Sequence, residues 1–354
     1  MSGTGDQHTI TVAIVTPFEP ELVEPIRDDG SHVEVLYEPD LLPPVRYPGD
    51  HGGEAGFTRG AGAERRWRRM LEHAEVFLGL PGDSAAGLAG AVRSNPGLRW
   101  VQATAAGAGE QLRAATLTPE ELERVTVTTA SGVHAGPLAE FCMLGLLYFT
   151  RGVPRLQADQ RGRRWDQHPV AELNGETLVI LGLGAIGTEV ARVAKALGMR
   201  TIGVNRTGRS DSSDVGAVHR SDRLLDLLPG ADAVVVTLPL TDETRGMLGA
   251  QALHRMKPGT VLINVGRGAV INEQALIRAL REGMLGGAAL DVFATEPLPS
   301  ESPVWDLPNV LLTPHTAALS IRENERIVQL FIKNLRRYIR GEPLVNRVDP
   351  QRFY

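Results

Sequence analysis

Apolar residues along this chain fall into short β-branched runs separated by stretches with helical spacing, which predicts strands alternating with helices. The first run, ITVAIVT (Ile10–Thr16), reads as a strand, PELVEPI as a helix and HVEVLY as a second strand. Further strands are expected at AEVFLGL, LRWVQAT and VTVTTA, with the Pro- and Gly-rich stretch Pro43–Gly56 as a loop. In ERRWRR and its surroundings, Trp67, Leu71 and Ala74 share one helix face, so the charges line the solvent side. A second series opens with ETLVILGLGAIGTEVARVAKALG and continues with strands at RTIGVN, ADAVVVTLP, TVLINVG, GGAALDVF and NVLLTP. A long helix is expected from about Pro137 through LAEFCMLGLLYFTR, followed by an Arg-rich loop holding Trp165. The last helix, RENERIVQLFIKNLRRYIRG, has Ile327, Leu330, Ile332 and Leu335 near helical spacing and is long enough to return to the first series. No short internal repeat or low-complexity tract interrupts this order. The pattern predicts an α/β protein built on parallel sheets.

Composition narrows the reading. At 354 residues, with 42% hydrophobic residues, the chain is long enough for two globular domains. A net charge of −5 gives no footprint for nucleic acid. Cys142 is the one cysteine, so no intrachain disulfide forms and a reducing, cytoplasmic setting is expected. It sits inside FCMLGLLYF, where it reads as a buried thiol, and that run is too short to span a bilayer. The opening MSGTGDQHTI lacks the apolar core of a secretion signal. A soluble protein without membrane or metal sites is expected.

The first chemical signal is GLGAIG, with Gly182, Gly184 and Gly187 between an apolar strand and a helix. In that context the glycines permit a tight turn and close approach of a pyrophosphate to the helix N-terminus at Ala185 and Ile186. The acidic residue that grips a ribose 2′-hydroxyl is expected about 20 residues on, yet that place holds Asn205, Arg206 and Thr207, with Arg209 close behind. Arg206 offers a planar cation for a 2′-phosphate, Thr207 a hydroxyl and Arg209 a second charge. This shifts the expected cofactor to NADP(H), with NAD(H) possible. The bland alternative is an exposed arginine in a loop that simply lacks the acid.

Three further polar groups fall just past predicted strand ends, where ligands of open parallel sheets bind. Arg267 follows TVLINVG, Asp291 and Glu296 follow GGAAL, and His315 follows NVLLTP. Adding a hydride to a ketone requires a proton at the oxygen, and imidazole titrates close to working pH. A carboxylate orients the ring, and a guanidinium clamps a substrate carboxylate and polarises the carbonyl. Singly, each has a structural reading as surface charge, turn acid or helix cap; their conjunction on one sheet edge favours chemistry.

At these residues the chain resembles the D-isomer-specific 2-hydroxyacid dehydrogenases, in its glyoxylate/hydroxypyruvate reductase-like branch. SGVHAGPLAEF, LVILGLGAIG, VVVTLPLTDETRGML, NVGRGAVINEQAL, GAALDVFATEPLP and PNVLLTPHTA follow in the same order, and LRWVQATAAGAG matches more weakly. The resemblance implies two Rossmann-like domains with the active site in the cleft between them, and usually a homodimer. A flavodoxin-like substrate domain would comprise 1–130 plus 319–354, and the NAD(P)-binding domain 131–318. Arg267, Glu296 and His315 would be the catalytic set, with His315 as acid in reduction. Asp291 would hold the nicotinamide amide, and Leu238, Pro239, Thr244, Val265 and Gly266 would lie along the cofactor. Backbone N–H groups at Ala106 and Gly107 would hold the carboxylate of a small 2-ketoacid or 2-hydroxyacid, beside Arg267 and His315, with Leu80 shaping the pocket. Two departures stand out. Ala108-Gly109-Glu110 carries an extra residue relative to the usual loop, and the acid is missing at Asn205. Ending at Tyr354, without the added regulatory domain of many phosphoglycerate dehydrogenases, lowers that assignment. Glu296 disfavours a formate dehydrogenase, since those relatives generally pair the histidine with an amide. The alternative in another class is a cofactor-sensing protein, like the corepressor relatives, with little catalysis.

Overall fold

The computed structural model describes residues 9–28 and 32–353. Most of the opening segment on which the leader expectation rests, Met1–His8, and Tyr354 lie outside the described residues. The chain forms two compact units, one running to His134 and resuming at Leu319, the other spanning Ala135–Ala318.

The first unit carries five parallel strands, β1 (Ile10–Ile14), β2 (Val33–Leu36), β3 (Val76–Leu78), β4 (Trp100–Gln102) and β5 (Thr126–Thr128). Their order, β2-β1-β3-β4-β5, is the flavodoxin-like one. Both faces of the central strands are covered, which explains why they read as continuous apolar runs rather than alternating ones. One face packs on Trp67, Met70, Leu88 and Leu112; the other packs on Ile26, Ile327, Val328, Phe331 and Leu335. Of the expected apolar set on the helix Glu323–Ile339, Ile327 and Leu335 are fully buried, while Leu330 and Ile332 pack partly buried against the same cluster. Val328, Phe331 and the polar Asn324 and Asn334 complete the buried face.

The second unit holds seven parallel strands: β6 (Thr177–Leu181), β7 (Arg200–Asn205), β8 (Ala217–Arg220), β9 (Ala233–Val236), β10 (Thr260–Asn264), β11 (Leu285–Leu290) and β12 (Val310–Leu312). The order β12-β11-β10-β9-β6-β7-β8 reverses direction at β6, the switch point of a doubly wound sheet. Strands β6, β9 and β10 are buried along their whole length. β8 was not expected: it is an edge strand, AVHR, without a buried residue or an apolar run. The helix Ala135–Thr150 packs on the sheet through Leu138, Cys142 and Leu146. The Cys142 thiol is fully buried, and burial with the nearby Asp291 charge pushes its pKa far above the ordinary thiol value. No helix among the described residues is long and apolar enough to cross a membrane.

Candidate active site

The glycines of the loop after β6 do three different jobs. Gly182 has φ +100°, a conformation L side chains rarely adopt, and an added Cβ would lie 2.8 Å from Thr237 Oγ1. At Gly187 a Cβ would stand 1.9 Å from the Gly182 carbonyl oxygen, so the helix Ala185–Ala196 meets the loop only through glycine. A Cβ on Gly184 would meet nothing within 4 Å. Gly184 is also the helix N-cap, and no side chain caps this end. An open glycine before uncapped backbone N–H groups suits a phosphate oxygen, so the cradle fits a dinucleotide.

Asn205 ends β7 and organises its own loop. Its Oδ1 accepts from the N–H groups of Thr207 (3.1 Å) and Gly208 (2.7 Å), and its Nδ2 donates to the Arg209 carbonyl (2.7 Å). This Asx-type turn consumes the side chain, and it turns Arg206 and Arg209 outward. With Arg220 from the end of β8 they border an open depression of about 670 Å³, which Thr207, Ser210 and Asp211 also line. Arg220 was not singled out from sequence; only the unexpected edge strand places it there.

The loops after β9, β10, β11 and β12 neighbour one another because these strands are adjacent. After β9, Thr244 Oγ1 donates to the Pro239 carbonyl (2.7 Å) and accepts from Thr241 N–H (2.8 Å), closing the Leu238–Thr244 loop. After β10, Asn264 braces the turn: its Oδ1 accepts from Gly266 N–H (3.1 Å) and its Nδ2 donates to the Arg267 carbonyl (3.1 Å). Asn264 was not foreseen, although a buried asparagine at the end of an apolar strand is the available signal. Val265 is buried, and Arg267 is half-buried, with Nη1 donating to the Gly266 carbonyl (2.9 Å). Gly268 lets this turn abut the next loop, because a Cβ there would fall 1.9 Å from the Phe293 carbonyl carbon.

Asp291 is buried, and its Oδ1 accepts from Thr313 Oγ1 (2.7 Å) and from the N–H groups of Thr316 (2.8 Å) and Ala317 (2.9 Å). Its backbone carbonyl accepts from His315 N–H (3.0 Å). Together these bonds hold His315 at φ +55°, a left-handed conformation uncommon outside glycine. The imidazole Nδ1 then donates to Glu296 Oε2 at 2.7 Å, while Glu296 Oε1 accepts from Phe293 N–H (2.9 Å). With Nδ1 committed to a carboxylate, Nε2 is the nitrogen left for a substrate. The pair is partly open, with side-chain exposures of 49% for His315 and 33% for Glu296.

The remaining candidates lie in the first unit. Ala106 and Gly107 are in the loop after β4, at the carboxyl edge of that sheet, and neither N–H donates a hydrogen bond among the described residues. Leu80 is only 2% exposed and packs into the unit's core.

A doubly wound sheet with a glycine cradle at its switch point and a carboxylate–histidine pair at its carboxyl edge defines a dinucleotide-dependent oxidoreductase. Residues 143–317 match the NAD-binding domain of the D-isomer specific 2-hydroxyacid dehydrogenases. The glyoxylate reductase of Aeropyrum pernix is 39% identical over 235 residues, covering 64% of this chain and 70% of that protein. The (S)-sulfolactate dehydrogenase of Chromohalobacter salexigens is 36% identical over 219 residues, 60% of this chain and 70% of its own. Among solved structures, a D-isomer specific 2-hydroxyacid dehydrogenase from Xanthobacter autotrophicus, in complex with NADPH and MES, superposes with a TM-score of 0.76 at 29% identity, covering 98% of this chain and 100% of that one. The NADPH-dependent glyoxylate/hydroxypyruvate reductase of Sinorhizobium meliloti, with NADP and sulfate, gives 0.74 at 26% identity over 98% and 100%. The chain belongs to the D-isomer specific 2-hydroxyacid dehydrogenase family, whose enzymes are NAD(P)-dependent.

Proposed function

We propose that this protein is an NADPH-preferring reductase that converts small 2-ketoacids to D-2-hydroxyacids. The observation that carries the reading is the His315–Glu296 pair, 2.7 Å apart on the strand-end edge that also bears the glycine cradle. When bound, the nicotinamide supplies the hydride. His315 delivers the proton from Nε2 to the ketone oxygen as charge develops there, and Glu296 holds the ring and stabilises its cationic form. Arg267 pairs with the substrate carboxylate and polarises the carbonyl. In the first unit, the N–H groups of Ala106 and Gly107, which donate no hydrogen bond among the described residues, are suited to a carboxylate. Asp291 holds the His315 loop through Oδ1 and takes the nicotinamide amide. Leu238, Pro239, Thr244, Val265 and Gly266 line the cofactor.

NADPH preference rests on the depression beside Asn205. No carboxylate ends β7 to repel a 2′-phosphate, and Arg206, Arg209 and Arg220 border the depression there, with Asp211 as its one acidic lining residue. The bound NADPH and NADP of the Xanthobacter and Sinorhizobium proteins support this choice. A homodimer through the second unit is supported by the exposed apolar residues Leu144, Leu147 and Leu156 and by Trp165, which is 91% exposed. The test of function is NADPH oxidation with glyoxylate, hydroxypyruvate, pyruvate and bulkier 2-ketoacids. Turnover on at least one is expected. Tight NADPH binding without turnover on any would instead favour a cofactor-sensing protein.

A further inference from the structure

The segment after the helix Glu323–Ile339 returns along the first sheet. The Asn346 carbonyl accepts from Thr129 N–H (3.0 Å), Arg347 bridges Thr128 in antiparallel fashion, and Val348 N–H donates to the Val127 carbonyl (2.9 Å). The chain then turns: Asp349 Oδ1 accepts from Gln351 N–H (2.8 Å) and Arg352 N–H (3.1 Å), and its carbonyl accepts from Phe353 N–H (2.7 Å). This turn lands on the helix Ala108–Ala114. A Cβ on Gly109 would lie 1.8 Å from the Phe353 carbonyl oxygen, and the Phe353 ring stands 5.3 Å from the Arg113 guanidinium. Gly109 is the middle residue of the Ala108-Gly109-Glu110 stretch that departs from the usual loop. Its lack of a side chain is what admits Phe353.

The other end of the loop is held from below. Fully buried Asn334 donates to Gln102 Oε1 (3.1 Å) and to the Val345 carbonyl (3.0 Å), and accepts from Val345 N–H (2.8 Å). Gln102 Oε1 also accepts from Thr128 Oγ1 (2.9 Å), and its Nε2 donates to the Ala103 carbonyl (3.0 Å). The Ala103–Gly107 loop, whose Ala106 and Gly107 N–H groups donate no hydrogen bond among the described residues, thus begins at the Gln102–Asn334 network and ends at the helix that the 349–353 turn covers.

We infer that residues 346–353 are a positioning element for the Ala106–Gly107 loop, with Phe353 seated on Gly109 setting the geometry in which the loop receives the ketoacid carboxylate. This rests on the carboxylate role given to that loop above. The test compares the intact protein with Gly109→Ala, Phe353→Tyr and a chain ended at Asp349, measuring amide hydrogen exchange and steady-state kinetics with hydroxypyruvate. Gly109→Ala and the shortened chain should exchange faster within 103–114 while the helix Ala135–Thr150 is unchanged. Their KM for ketoacid should rise about ten- to a hundredfold, with KM for NADPH unaltered. Phe353→Tyr, which keeps the main-chain contact and the ring, should behave as wild type. Unchanged exchange in 103–114, or faster exchange throughout the first unit, overturns the positioning role. Faster exchange confined to 103–114 with an unchanged ketoacid KM overturns the carboxylate reading on which it rests.

Discussion

Alanine at Gly184 and at Gly187 should have opposite consequences, although the two lie three residues apart in one loop. At Gly187 the new Cβ would sit 1.9 Å from the Gly182 carbonyl oxygen. Real Cβ contacts essentially never fall below 3.0 Å, so helix and strand must separate by roughly the difference. Overpacking of that kind costs about 1–3 kcal/mol or more. At Gly184 the Cβ meets no protein atom within 4 Å. Losing glycine at an N-cap costs somewhat under about 1 kcal/mol, and the reduced freedom of the unfolded chain returns about 0.4–1 kcal/mol. The net change is near zero, so Gly184→Ala should melt within about 3 °C of wild type. The space it fills is where the proposed cradle would take the pyrophosphate. Losing one charge-assisted bond of about 1.5–3 kcal/mol weakens NADPH binding about ten- to 150-fold. Thermal melts of the apo proteins and NADPH titrations separate the two effects. A Gly184→Ala protein that binds NADPH as tightly as wild type would refute the cradle.

Arg206→Ala should lower the NADPH/NADH ratio of kcat/KM about tenfold, most visibly at low salt because the guanidinium is exposed; an unchanged ratio makes Arg206 a bystander. His315→Ala should lose at least about a hundredfold in kcat with NADPH affinity retained, and Glu296→Gln a smaller share; near-normal turnover in His315→Ala rejects the proton-donor role. Away from the site, Glu176 has a raised pKa because it shares a hydrogen bond with Asp232, with burial and the Asp232 charge adding to the shift. The folded state therefore holds this proton more tightly, and the stability it contributes is present below the ordinary glutamate pKa and lost as pH rises through the raised value. Glu176→Gln should melt about 1–3 °C higher than wild type at pH 8, with the gain gone near pH 4. A gain that grows toward acid pH contradicts the sign.

Strand-end positions are legible because they depend on short-range grammar. Apolar runs mark buried parallel strands, and whatever follows them must lie on the carboxyl edge. That logic puts Arg267, Asp291, Glu296 and His315 just past strand ends, and the structure has them there. The same logic failed at β8, since the edge strand AVHR buries none of its residues and carries no apolar signature. Arg220, its last residue, was missed with it. Asn205 shows another limit: its importance was evident from the missing acid, but its work in folding the Arg206 loop appears only in its hydrogen bonds. Gly109 marks the furthest reach of sequence reading. The departure of its loop is visible in the sequence, whereas the contact that leaves no room for a side chain at Gly109 comes from Phe353, more than 200 residues later in the chain.

The most direct test of the central claim is a coupled measurement of NADPH consumed and product formed, with hydroxypyruvate and pyruvate as substrates and chiral analysis of the hydroxyacid. The account predicts one D-2-hydroxyacid for each NADPH oxidised, at a kcat/KM well above that with NADH. An L-product, or bound NADPH that is never oxidised by any 2-ketoacid, would contradict it.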